Sequence, residues 1–143
     1  MATDSLSLQW VDGMEFTSLV NGHSITIDAN SEFGGKNKGP RPKPLMMLAL
    51  AGCTGMDVIS ILHKMRVFPD SFKVNIETAI TDEHPKHYTR MKVIYEFSGE
   101  NLPENKLKRA VELSEQQYCG VSAVYKKAMN LEFEIRLNNK VLA

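Results

Sequence analysis

Two side chains of this 143-residue chain can act as soft nucleophiles, its two cysteines Cys53 and Cys119. A thiolate attacks peroxide oxygens and disulfides, and the sulfenic acid that a peroxide leaves behind is captured by a second thiol held nearby. The two lie far apart in sequence and form neither a CxxC redox motif nor a metal-ligand pair, so only the fold can bring them together. Each has a plainer reading, because a free cysteine is among the commonest core residues. Beside Cys53, Gly52 and Gly55 weigh against it: each costs about 1 kcal/mol inside a helix and implies close approach of another group. Cys119, followed by Gly120, falls where a helix should break, so N–H groups of the next helix could favour its thiolate; capping or core packing is the alternative.

No other chemistry competes. His84 and His87 flank Pro85 without zinc-site spacing and read as a solvated strand connection. The chain carries no nucleophile elbow and no glycine-rich phosphate loop between a strand and a helix. No metal site and no cofactor is expected.

The elements that must position the cysteines follow from periodicity. Leu6, Leu8 and Trp10 alternate with polar residues as in a half-buried strand, and Asp12-Gly13 and Asn21-Gly22 supply turns. Strands over 15–20 and 24–28 complete an antiparallel meander. Residues 29–44 hold three glycines and three prolines, a long loop in which 34–39 is a candidate lid or a flexible connector. Residues 44–66 read as a helix whose first half is apolar on every side; Asp57, Ser60 and Lys64 stripe its second half. One sheet covers only one side of a helix, so the all-apolar half calls for a partner chain as second cover. Strands are expected at 72–81 and 87–98, and 102–117 is an amphipathic helix with Leu107, Ala110, Val111 and Ser114 on one face. A short helix over 121–128 and a closing strand over 131–137 follow. The fold class is α+β, a single domain over 1–143.

Lys plus Arg equals Asp plus Glu at 17 each, which gives no basic field to attract nucleic acid or an anionic membrane. The apolar run Leu45 to Met56 is shorter than the ~20 residues of a membrane span, and no secretory pattern opens the chain, so a cytoplasmic location is expected. In a reducing compartment, pairing of two cysteines would be catalytic or regulatory.

The string Pro44-Leu45-Met46-Met47-Leu48-Ala49-Leu50-Ala51-Gly52-Cys53-Thr54-Gly55-Met56-Asp57-Val58-Ile59-Ser60-Ile61-Leu62 resembles the family of osmotically inducible protein C and the organic hydroperoxide resistance proteins. The likeness continues through Glu83-His84-Pro85 and through Arg109 to Ser114 and Tyr118 to Val121, in the family's order and spacing. It implies an OsmC-like fold, with antiparallel sheets around a long cysteine-bearing helix, in an intertwined homodimer. It also implies a peroxidase that reduces organic hydroperoxides, with Cys53 as attacking thiol, Cys119 as resolving thiol and a dithiol as reductant. The alternative is a diverged member that binds a small apolar or thiol ligand at the dimer interface. Family peroxidases carry a glutamate near the start of the cysteine helix and an arginine in or after the N-terminal strands. Here the helix start reads Arg41-Pro42-Lys43-Pro44-Leu45 and no arginine precedes Arg41, so Arg41 or Lys43 would have to supply the positive charge.

Overall fold

Positive φ at both Asn21 (51°) and Gly22 (80°) gives the tight two-residue turn that sets the N-terminal register, with Val20 opposite His23. In the computed structural model, which describes residues 1–143, this turn joins β2 (Glu15–Val20) to β3 (His23–Ile27), and β1 (Leu8–Asp12) pairs on the other side of β2. The three strands belong to the first of two compact units, residues 1–46; the second spans 47–143. The expected meander is present, but β1 is exposed along its whole length, Leu8 at 49% and Trp10 at 61%.

The glycine-rich loop is neither a lid nor a slack connector. The buried Asp28 carboxylate accepts hydrogen bonds from the N–H groups of Ala29 (2.7 Å), Lys36 (3.2 Å) and Lys38 (3.2 Å). A Cβ on Gly35 would lie 1.9 Å from the Ala29 carbonyl oxygen, so only glycine lets the strap close onto its own base. Burial alone would raise the Asp28 pKa, but the three N–H donors outweigh it and hold the carboxyl below its usual range. Arg41 spends its guanidinium within this unit, donating to the Gly39 carbonyl (2.7 Å) and to Asn37 Oδ1 (2.7 Å).

Helix α1 (Leu45–Lys64) matches the expected span closely. The apolar character read as ending at Met56 resumes after Asp57, so by length and composition the 20-residue helix could cross a membrane. Its buried residues, Leu50, Thr54, Val58 and Leu62, recur every four positions and face a sheet of β4 (Ser71–Ile80), β5 (Tyr88–Ser98), β6 (Asn130–Leu137) and β7 (Lys140–Val141). In that sheet Met91, Val93, Tyr95 and Phe97 alternate toward the helix. The opposite face carries charge pairs, Lys92 with Glu134 at 3.2 Å and Arg136 with Glu96 at 3.4 Å.

One pairing departs from the antiparallel pattern expected. Strand β6 runs parallel to β5, with Tyr95 opposite Ile135. The chain between them climbs back through α2 (Glu104–Leu113), a π-helical turn at Ser114–Tyr118 and α3 (Gly120–Tyr125), a crossover that must return it in the same direction. Leu107, Ala110, Val111 and Ser114 are all fully buried, as their spacing predicts.

Candidate functional site

Cys53 stands in the middle of α1, half-buried against the core. Asp57 follows it by four residues, one helical turn along the same face. Cys119 arrives from the other side because the chain widens into the π turn before it: its N–H donates to the Ser114 carbonyl five residues back, at 2.8 Å. Such single π turns recur at functional sites, where they re-aim a side chain. The widening ends at Cys119, which leaves helical geometry (φ −77°, ψ 102°) and caps α3, its sulfur accepting from the Ser122 N–H at 3.3 Å. Both plain roles left open by the sequence, capping and core packing, are thus observed.

These elements bring three atoms together: Cys53 Sγ, Cys119 Sγ and an Asp57 carboxylate oxygen lie within 4.8 Å of one another. Both cysteines are free thiols. Burial pushes the Cys119 thiol up, and a hydrogen bond with Cys53 keeps the proton on Cys119. Burial therefore makes Cys119 a poor nucleophile. The group stops at three donors, short of the four of a closed structural zinc site, and no metal is assigned to it.

Behind the thiols runs a chain of buried oxygens that the sequence did not single out. Ser114 Oγ donates to Asp57 Oδ2 (3.0 Å) and contacts Thr54 Oγ1 (2.7 Å). Thr54 Oγ1 in turn contacts the Tyr95 hydroxyl (2.6 Å), which donates to Glu115 Oε1. Thr54, Tyr95 and Ser114 are fully buried and Glu115 nearly so. Burial, reinforced by the Glu115 charge, pushes the Tyr95 hydroxyl far above its ordinary pKa and keeps it a donor. The available signals were a threonine inside an apolar helix, which periodicity did not single out, and a serine that periodicity placed on the packed face of α2.

The two helix glycines differ. A Cβ on Gly55 would meet Val74 Cγ2 at 3.4 Å, so β4 approaches there; a Cβ on Gly52 would meet nothing in this chain within 4 Å. Gly52, Gly55, Met56, Ile59, Phe72 and Val74 line an open, largely apolar groove of about 870 Å³. Cys53 is not part of that lining, so the groove occupies the neighbouring face of α1. His84 and His87 are exposed, as read.

Comparison with known proteins gives consistent matches. The family model described as OsmC-like protein matches residues 35–134. Protein YhfA of Escherichia coli is 32% identical over 125 residues, 87% of this chain and 90% of that protein. A hypothetical protein from Aquifex aeolicus superposes with a TM-score of 0.83 at 28% identity, over 96% of this chain and 98% of the other. An organic hydroperoxide resistance protein from Legionella pneumophila shares the fold at a TM-score of 0.65 and 12% identity, over 95% and 99% of the two chains.

Proposed function

Because the chain belongs to the OsmC-like family, we propose that its paired thiols reduce organic hydroperoxides. The observation that carries this reading is the placement of Cys53 and Cys119 sulfurs within 4.8 Å, supplied by two separate elements. Cys53, the less buried thiol, attacks the peroxide; its sulfur forms an S–O bond, the O–O bond breaks, and an alcohol leaves. Cys119 then attacks the Cys53 sulfenic acid, forming the S–S bond and expelling water. A bond of ~2.05 Å needs the sulfurs to close by no more than about 2.8 Å, within reach of rotamer changes at a helix cap. A dithiol reductant restores both thiols, which suits the reducing conditions of a cytoplasm.

The reading includes a homodimer. Leu48 (65% exposed) and Met56 (77%) continue the apolar surface of α1 past the buried stripe, beside the bare Gly52, and a second copy of this chain would cover them. The test is consumption of cumene hydroperoxide by reduced protein with a dithiol donor. Turnover is expected in the native chain, with less than about a hundredth of it in Cys53→Ser, since the one thiol left, Cys119, is buried and its pKa is pushed up by that burial. Unchanged consumption in Cys53→Ser would instead favour a second reading, carried by the apolar groove beside α1: a non-catalytic protein that holds a small apolar ligand there.

A further inference from the structure

The oxygen chain behind the thiols can be counted proton by proton. It contains four contacts, Asp57–Ser114, Ser114–Thr54, Thr54–Tyr95 and Tyr95–Glu115. Each needs one proton, and each hydroxyl brings one. Ser114, Thr54 and Tyr95 supply three. With both carboxylates ionised, Tyr95 donating to Glu115 and Ser114 donating to Asp57 leave Thr54 one proton for two contacts. One pair of buried oxygens, at 2.6 or 2.7 Å, would then face each other with no hydrogen between them. That distance is a hydrogen-bond distance, and an unpaired buried oxygen is costly. A single proton on either carboxyl completes the chain: if on Asp57, every hydroxyl donates toward Glu115; if on Glu115, every hydroxyl donates toward Asp57.

We propose that this chain is a proton store for Cys53, with Asp57 as the group that takes the thiol proton and returns it to the departing alkoxide. The assignment rests on the peroxidase reading for its second half only. Its first half follows from position: Asp57 is the half-buried end of the chain and reaches within 4.8 Å of both sulfurs, while the other end, Glu115, is closed off. The titratable groups of this unit that face the chain are Cys53, Cys119, Asp57, Tyr95 and Glu115; Lys126 reaches the Glu115 main-chain carbonyl instead of its carboxylate. Moving the proton from Cys53 into the chain turns one thiol and two carboxylates into one thiolate, one carboxylate and one carboxylic acid. Net charge is unchanged, so a thiolate forms here without the nearby cation that this class of chemistry otherwise uses. In the peroxide step the thiolate electron pair forms the S–O bond, the O–O pair leaves with the alkoxide, and the stored proton completes the alcohol. The store returns to three protons. Thr54, Ser114, Tyr95 and Glu115 act as positioning residues, through Asp57.

Alkylation of Cys53 by iodoacetamide, read by peptide mass spectrometry from about pH 5 to about 9, tests the store without any peroxide, because the thiolate alone reacts. Thr54→Val keeps the side-chain shape and cuts the chain; Thr54→Ser keeps the hydroxyl. The expected result is about tenfold slower alkylation in Thr54→Val at neutral pH, its half-rate pH moved up by about one unit, with Thr54→Ser within about twofold of native. Asp57→Asn fills the chain with a permanent amide donor and removes the base, so it should behave as Thr54→Val does; it serves where that variant fails to fold. A native pH profile in a folded Thr54→Val or Asp57→Asn protein overturns the proposal. A Thr54-dependent profile in a protein that consumes no hydroperoxide would leave the store standing and remove only the peroxidase reading.

Discussion

Cys53 and Cys119 divide their roles by surroundings: one is half-buried beside a carboxylate, the other is buried and caps a helix through its sulfur. On the proposed peroxidase reading, replacing Cys119 by serine removes the interceptor but leaves the attacking thiol, so Cys119→Ser should stop at the sulfenic acid and pass on to sulfinic acid under excess peroxide, a mass gain of two oxygens on the Cys53 peptide. Native protein under the same excess should resist that gain. The cysteines were legible in sequence because sulfur chemistry belongs to few residue types and Gly55, two residues from Cys53, marked the approach of β4; Gly52 marked no neighbour within this chain. Asp57, Thr54, Ser114 and Glu115 were not. Their spacing fits an ordinary helix face, and only the π turn after α2 and the approach of β5 reveal that they meet.

Element boundaries followed from alternation and turn chemistry almost throughout, β2 over Glu15–Val20 and the buried face of α2 among the clearest. What local pattern does not encode is long-range direction: the parallel pairing of β6 with β5 depends on the crossover between them. Nor did composition reveal that the loop after β3 is held by one carboxylate. Asp28 carries a depressed folded pKa, so its contribution to stability is present above the ordinary value near 4 and is lost as pH falls through the lower folded value. Asp28→Ala should therefore lower the melting temperature at neutral pH, and its difference from native should shrink below about pH 4. A gap that stays constant on acidification would show that the carboxylate charge is not what holds the strap.

For the whole molecule the question is what covers α1. Nothing in this chain lies within 4 Å of a Cβ on Gly52, so in an isolated chain Gly52→Ala should stabilise by about 1 kcal/mol through helix propensity alone. If a second copy packs there, the added methyl should instead weaken association, and sedimentation of native protein should give about twice 16.1 kDa, with a shift toward monomer in the variant. A native monomer stabilised by Gly52→Ala would contradict the dimer. The central claim, that the two thiols act together on a peroxide, is tested most directly by titrating reduced protein with cumene hydroperoxide and following intact mass and free thiols. The account predicts that one equivalent removes both thiols, lowers the mass by two hydrogens and links Cys53 to Cys119 within one chain, reversibly with a dithiol. Two thiols still free after an equivalent of peroxide, or a stable oxygen adduct on Cys53 with Cys119 untouched, would contradict it.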